Sequence, residues 1–364
     1  MKVEKVDLYD IEIPFIFPFK SNNATVESHS CLIVAVYSDG LVGWGECPTF
    51  NEPFYTYETM KTAHHILKDF LIPLLVNKNI DFPQEVNSLF SPIRGHQMAK
   101  SALECAVWDL FAKRANLSLA KYIGGRKDRV KVGVSVSLQS SINDLLRKVE
   151  DYVIQGYQRV KLKIAPDSAL SSLRAIRHHY PDLMLMGDAN SIFSLDDVSL
   201  FQEMDELNLL MIEQPLAYDD LLNHAILQSQ IKTPICLDES INSFNDTRSA
   251  IALKSCQIIN LKQSRVGGIA NTLQIHDLCE KEGIKLWCGG MLESGIGRAT
   301  NLHIASLNNF QLPADISATN RYFDEDIIES DIVLNREDST IDVPEKPGIG
   351  VEVNQRTLNK FLRR

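Results

Sequence analysis

Five short runs decide the fold: KLKI (161–164), GDAN (187–190), MIEQP (211–215), CLDES (236–240) and IINLK (258–262). Each follows or contains apolar sequence and delivers one charged residue, namely Lys163, Asp188, Glu213, Asp238 and Lys262. The separations are 188 − 163 = 25, 213 − 188 = 25, 238 − 213 = 25 and 262 − 238 = 24. The charge order is cation, three anions, cation. A repeat of about 25 residues is the length of one strand–helix unit, and eight such units close a parallel barrel.

Working outward, candidate strands fall at 131–138, 158–164, 183–188, 207–213, 234–238, 256–262, 284–289 and 310–316. Helical patterns fill the intervals, as in SINDLLRKVEDYVIQ, SALSSLRAIRHHY, LDDVSLFQEMDEL, NDTRSAIALKS and ANTLQIHDLCEKEG. Apolar strands alternating with helices predict a parallel sheet covered on both faces. Before this repeat, residues 1–60 alternate as three strands, with a hairpin turn at Asp39-Gly40 and a polar loop over 15–30. Two helical stretches follow: YETMKTAHHILKDFLIPLL, interrupted by Pro73, and MAKSALECAVWDLFAKRAN. The expected architecture is α/β, a (β/α)7β TIM-type barrel over 128–316. An α+β capping domain spans 1–127 and is completed by the tail, 317–364.

The chain has 364 residues, 45% hydrophobic and 23% charged, with a net charge of −10. The acidic balance excludes nucleic acid as the main partner, because nothing neutralises phosphates. Seven cysteines without a CxxC predict free thiols and a cytoplasmic protein. The acidic start MKVEKVDLYDIEIPF is unlike a secretory signal, and no run has transmembrane length, so no membrane partner is expected.

All five marked residues fall at C-terminal strand ends, the functional face of this barrel class. One aspartate there would be an ordinary ion-paired residue. Three carboxylates at equal register repel one another and call for a cation. Oxygen ligands without His or Cys suit a hard ion, so Asp188, Glu213 and Asp238 are expected to hold Mg²⁺, with Mn²⁺ able to substitute. A metal that binds a substrate carboxylate stabilises the enediolate formed when the α-proton leaves. Lys163 and Lys262 flank the triad as acid–base groups facing each other across the mouth. Lys161 shares a strand side with Lys163 and is expected to lower its proton affinity by like charge.

The ordered set KLKI, GDAN, IEQP, CLDES and NLKQSRVGG, then CGGMLESGIGRA and DISATNRYF, resembles the enolase superfamily. PFIFPFKS, GWGEC and RGHQMAKSALECAVWDL extend the resemblance over almost the whole chain. Within the superfamily it is similar to the muconate-lactonising-enzyme subgroup, and most of all to its branch of o-succinylbenzoate synthases and N-acylamino acid racemases. The resemblance implies dehydration of 2-succinyl-6-hydroxy-2,4-cyclohexadiene-1-carboxylate to 2-succinylbenzoate, a step toward menaquinone. Lys163 would take the α-proton and Lys262 would stabilise the enediolate from the other face. A racemase uses the same two lysines as bases on opposite faces, so the machinery leaves both activities open. Arg265 stands where racemising members carry Arg and is expected to tune Lys262; an ordinary loop cation is the alternative.

The surroundings of the mouth hold further candidates. Asn190 orients a site residue or simply forms a turn. Ser135 donates to substrate or is a plain strand serine. Gly290 and Met291, after Gly289, contact the succinyl arm, and Ser294 adds a hydrogen bond. Phe19 and Ser21 sit in a loop that closes over the mouth, with core packing the alternative for Phe19. The histidine pairs are surface or packing residues, and Cys236 and Cys288 are expected to face the barrel wall. The partner is a small carboxylate, and a homo-oligomer is expected.

Overall fold

The computed structural model describes residues 1–20 and 24–363. Strands β1 (Lys5–Lys20), β2 (Thr25–Ser38) and β3 (Leu41–Cys47) form an antiparallel sheet. Asp39 and Gly40, both at positive φ, make the hairpin turn. The polar stretch 15–30 is more regular than expected. β1 reaches Lys20 and β2 starts at Thr25, with a register break between Pro14 and Phe19. Pro14 and Pro18 cannot donate to a ladder, so pairing lapses between them and resumes beyond.

The Gln97–Arg114 helix lies on this sheet and is buried along most of its length. A Cβ on Gly43 would stand 2.0 Å from the Ala106 carbonyl oxygen, and one on Gly45 1.9 Å from that of Ala102. The GWG of β3 therefore lets the helix backbone rest directly on the strand. Glu104 of this helix reaches the barrel. Its carboxylate accepts from the backbone N–H groups of Ile269 (2.7 Å) and Ala270 (2.8 Å), which open the Ile269–Glu282 helix.

The remaining strands are β4 (Arg129–Lys131), β5 (Val134–Val136), β6 (Arg159–Lys163), β7 (Met184–Asp188), β8 (Ile212–Glu213), β9 (Ile235–Leu237), β10 (Ile258–Leu261), β11 (Lys285–Cys288) and β12 (Thr340–Asp342). β5 to β11 form a parallel sheet in sequence order, curled into a barrel wall. The expected first strand is split at Val132-Gly133. β4 leaves the barrel and pairs antiparallel with β12 of the tail, while β5 joins β6. The expected eighth strand is not regular. Residues 310–316 attach through the single bridges Leu286–Phe310 and Val132–Ala314. Pro313 removes a ladder donor there. Arg159, wholly buried, bonds the Pro313 and Ala314 carbonyls at 3.0 and 2.7 Å, so a side chain closes the barrel where the ladder fails. The fold is thus a (β/α)7β-type barrel with an α+β cap. The tail returns to the cap, where Glu12 N–H donates to the Phe361 carbonyl and Arg363 N–H to that of Asp10.

The five expected barrel helices are present, and Leu221–Gln228, the single turn Gln263–Val266 and Gly295–Ala305 were not anticipated. The last of these carries Gly295 and Gly297 in its first turn, which weakens any propensity signal. Met186, Met211, Cys236, Ile258 and Trp287 fill one layer inside the barrel. Cys236 precedes Asp238 by two residues and so shares its inward side, which corrects the wall-facing expectation. Cys288 does pack outside, with Leu286. All seven cysteines are buried and unpaired. Among the described residues, no helix is long and apolar enough to cross a membrane.

His303 is a packing residue of consequence. Its ring accepts from Ala120 N–H at 3.0 Å and lies 3.0 Å from the Ile349 carbonyl, joining three distant segments. Burial lowers its pKa from 6.5 to about 4. Below pH 6.5 the unfolded imidazole takes up a proton that the folded one refuses. Stability therefore falls as pH drops from 6.5 towards 4, by up to about 3 kcal/mol from this group. Urea midpoints measured across that window should drop for the wild type and less steeply for His303→Gln. Parallel curves would remove His303 from the account.

Candidate active site

Strand register builds the mouth. Lys163 lies beside Asp188, and Asp188 beside Glu213, across consecutive strands. Asp238 and Lys262 directly follow β9 and β10. Asp188, Glu213 and Asp238 are all but inaccessible, at 1%, 0% and 2% exposure, so their charges must be answered locally. β6 and β10 are four strands apart in the sheet order. In a barrel of this size that places Lys163 and Lys262 on opposite walls.

Lys161 answers most of the charge. Its ammonium lies 2.6 Å from Asp315 Oδ2 and 3.1 Å from both Asp188 Oδ2 and Glu213 Oε2. Burial alone would lower its pKa; Asp315, Glu213 and Asp188 outweigh that and hold it well above the usual lysine value. Lys161 is therefore a fixed cation within a carboxylate cage. Lys163 Nζ lies 2.7 Å from Asp188 Oδ2 and 2.5 Å from Asn190 Oδ1. Asn190 adopts positive φ, tolerable for Asn, and its amide also donates to Glu239 Oε1 at 3.0 Å. Lys262 Nζ lies 2.9 Å from Asp238 Oδ2 and 2.8 Å from Tyr55 Oη. Burial opposes its charge, but Asp238 more than compensates and raises its pKa. Arg265 bonds the other oxygen of Asp238 and donates to Tyr55 Oη at 2.6 Å. Against the cost of burial, Arg265 and Lys262 hold Asp238 below the usual carboxylate range.

Glu213 is the exception. Burial and then the Asp188 charge push its pKa up to about 8. Its Oε1 accepts from Asn260 Nδ2 at 2.6 Å, but Oε2 has no aligned donor, although Lys161 Nζ stands 3.1 Å away. An orphaned buried carboxylate oxygen beside two further carboxylates suits a hard divalent cation, and the donor set is oxygen only. Among the described residues, the trio whose ligand atoms all lie within 4.8 Å of one another is elsewhere: His29, Cys31 and Glu46. Glu46 there is spent on His29, on Ser294 N–H and Oγ, and on Gly297 N–H, so it is a tie between cap and barrel. The mouth carboxylates instead have lysine nitrogens among them.

The cavity above these groups is lined by Phe19, Ser135, Lys161, Lys163, Asp188, Asn190, Asp238, Lys262, Gly290 and Met291, all singled out from the sequence. Glu213 and Arg265 lie behind the lining, bonded as described. Ser294 does not reach the cavity. It caps the Gly295–Ala305 helix, its oxygen accepting from Ile296 N–H and its hydroxyl donating to Glu46. Ser21 lies outside the described residues. A Cβ on Gly289 would stand 2.1 Å from Asn260 Oδ1 and 2.5 Å from Lys262 Cε, so the chain can pass over Lys262 only as glycine.

Sequence reasoning missed Asp315 and Tyr55. Asp315 is the penultimate residue of the eighth strand segment, 310–316, close to the strand-end position that marked the triad. Tyr55 comes from an irregular cap segment whose sequence carries no periodic signal. Its ring lies 4.7 Å from Lys262 Nζ, and burial pushes its hydroxyl up to about 12, so it bonds both cations as a neutral phenol.

Comparison with known proteins bears on the same halves. Residues 5–124 match the family Mandelate racemase / muconate lactonizing enzyme, N-terminal domain, and residues 144–357 match Enolase C-terminal domain-like. The o-succinylbenzoate synthase of Bacillus subtilis is 46% identical over 100% of this chain and 97% of its own. The N-succinylamino acid racemase of Thermus thermophilus is 41% identical over 97% and 95%. A crystal structure of an enolase superfamily member from Listeria innocua superposes with a TM-score of 0.97 at 45% identity, covering 100% of this chain and 98% of that one. Matched in both halves and along its full length, the chain belongs to the enolase superfamily, in the mandelate racemase / muconate lactonizing enzyme family.

Proposed function

We propose that the chain is an o-succinylbenzoate synthase, an enzyme that eliminates water from 2-succinyl-6-hydroxy-2,4-cyclohexadiene-1-carboxylate on the way to menaquinone. The cap would comprise residues 1–127 with the tail from 317, and the barrel residues 128–316. The observation that carries the reading is the placement of Lys163 and Lys262 on opposite walls around three buried carboxylates. The full-length relatives that bear this activity's name support it. Asp188, Glu213 and Asp238 would hold a divalent cation, Mg²⁺ by their hard oxygens. When bound, it neutralises charge that builds on the substrate carboxylate.

The chain's own groups do the rest. Lys163 Nζ takes the proton next to the substrate carboxylate, leaving Asp188 and Asn190 to hold the ammonium it becomes. That ammonium returns the proton to the departing hydroxyl on the same face, and water leaves as the ring becomes aromatic. Lys262 stays charged, fixed by Asp238 and Tyr55, and stabilises the developing anion from the other wall. Arg265 favours a second activity, racemisation of N-succinylamino acids. It competes with Lys262 for Asp238, and so works against the pull that keeps Lys262 protonated.

The test is to supply both substrates with Mg²⁺ in heavy water. Ultraviolet absorbance reads aromatic product, and NMR reads α-proton exchange. Aromatic product is expected. Exchange of the amino acid without any aromatic product would sink the synthase reading and leave the racemase.

A further inference from the structure

Beside the catalytic cavity lies a second one, of about 320 Å³, and the two share the walls of Phe19, Ser135 and Tyr322. This is many times the roughly 10–15 Å³ needed for one water. Among the described residues its charged lining is Lys148 and Arg321, with no Asp or Glu, in a chain of net charge −10. Among the described residues, neither cation is paired with a carboxylate. The Arg321 guanidinium rests 5.0 Å from the rings of both Tyr152 and Tyr322, and it donates to the Ser135 carbonyl at 3.3 Å. Lys148 Nζ lies 5.0 Å from the same Tyr152 ring. Phe17, at 70% exposure, stands at the edge. Two aromatic rings hold Arg321 in place without neutralising it, and among the described residues the arms of its fork other than the one on Ser135 are left for a carboxylate.

We propose that this side cavity is the subsite for the distal carboxylate of the substrate, with Arg321 as the anchoring cation and Lys148 as an electrostatic helper. The inference rests on the proposed function, because both activities act on substrates with a succinyl arm. One carboxylate would bind at the metal end, and the arm would pass between Phe19 and Ser135 to Arg321. The pairing would be charge-assisted and partly desolvated, the setting in which a single contact discriminates between ligands.

The test compares binding of 2-succinylbenzoate and 2-butanoylbenzoate to the full chain with Mg²⁺. The second compound ends in a methyl where the first has its distal carboxylate. Wild type should favour the dicarboxylate roughly 10- to 100-fold. Arg321→Met should collapse this ratio by weakening the dicarboxylate alone. Arg321→Lys should restore part of it, and Lys148→Met should lower it less. Retained binding of 2-butanoylbenzoate shows that a variant is folded; if Arg321→Met loses that too, Lys148→Met decides. A wild-type ratio near one, or a ratio undiminished in the variants, overturns the subsite. A wild type that forms no aromatic product yet keeps an Arg321-dependent ratio overturns the synthase reading and upholds the subsite. A wild type that binds neither compound overturns both.

Discussion

Lys163→Ala should lower kcat for the dehydration by about 10²–10⁴-fold or more, the range for losing a positioned base. The same variant should bind Mg²⁺ within a few-fold of wild type. The contrast follows from the bonding around Asp188. The substitution removes one lysine nitrogen from beside that carboxylate, but Lys161 remains 3.1 Å from it. The site stays balanced while the proton acceptor is gone. With an N-succinylamino acid, exchange in heavy water should vanish for one enantiomer and persist for the other through Lys262. Single-turnover rates, calorimetric Mg²⁺ titration and NMR would check the three statements. A kcat within tenfold of wild type would remove Lys163 from the role of base.

The second large effect concerns Glu213. Glu213→Gln should weaken Mg²⁺ binding by about 10²-fold or more, while leaving stability in chelator nearly unchanged. In the metal-free protein, burial and Asp188 already hold this carboxyl up to about 8, so near neutrality an amide resembles the protonated acid. Metal binding needs the ionised form. Wild type should gain stability on adding Mg²⁺, about 2.7 kcal/mol at a hundred times its dissociation constant, and the variant should gain little at the same concentration. Thermal melts with and without chelator read the difference. A full Mg²⁺-dependent shift in Glu213→Gln would place the ion elsewhere.

The barrel was legible because its strands repeat: five charged strand ends at nearly equal spacing fixed both register and mouth. What escaped was whatever breaks a repeat. Residues 310–316 look like a strand, yet Pro313 and the inward Arg159 make an irregular closure. The split at Gly133 depends on a partner, β12, more than two hundred residues later. In the site, i to i+2 logic placed Lys161 beside Lys163, but its role follows from Asp315, which comes from another segment. Ser294 was expected to add a hydrogen bond to substrate. In fact a helix begins there and uses its hydroxyl. Tyr55 was invisible, since nothing in a cap sequence announces a bond to a lysine 207 residues away.

That bond has an evolutionary meaning. Tyr55 precedes the barrel strands and lines the cavity a substrate would enter, yet it also bonds Lys262 of the same lining. Glu46, also ahead of the barrel strands, braces the Gly295–Ala305 helix that follows Gly290 and Met291. Selection acting on which molecules enter therefore also changes how Lys262 is held. Grafting a cap from a relative transfers part of the chemistry along with the door, and the two traits are inherited as one.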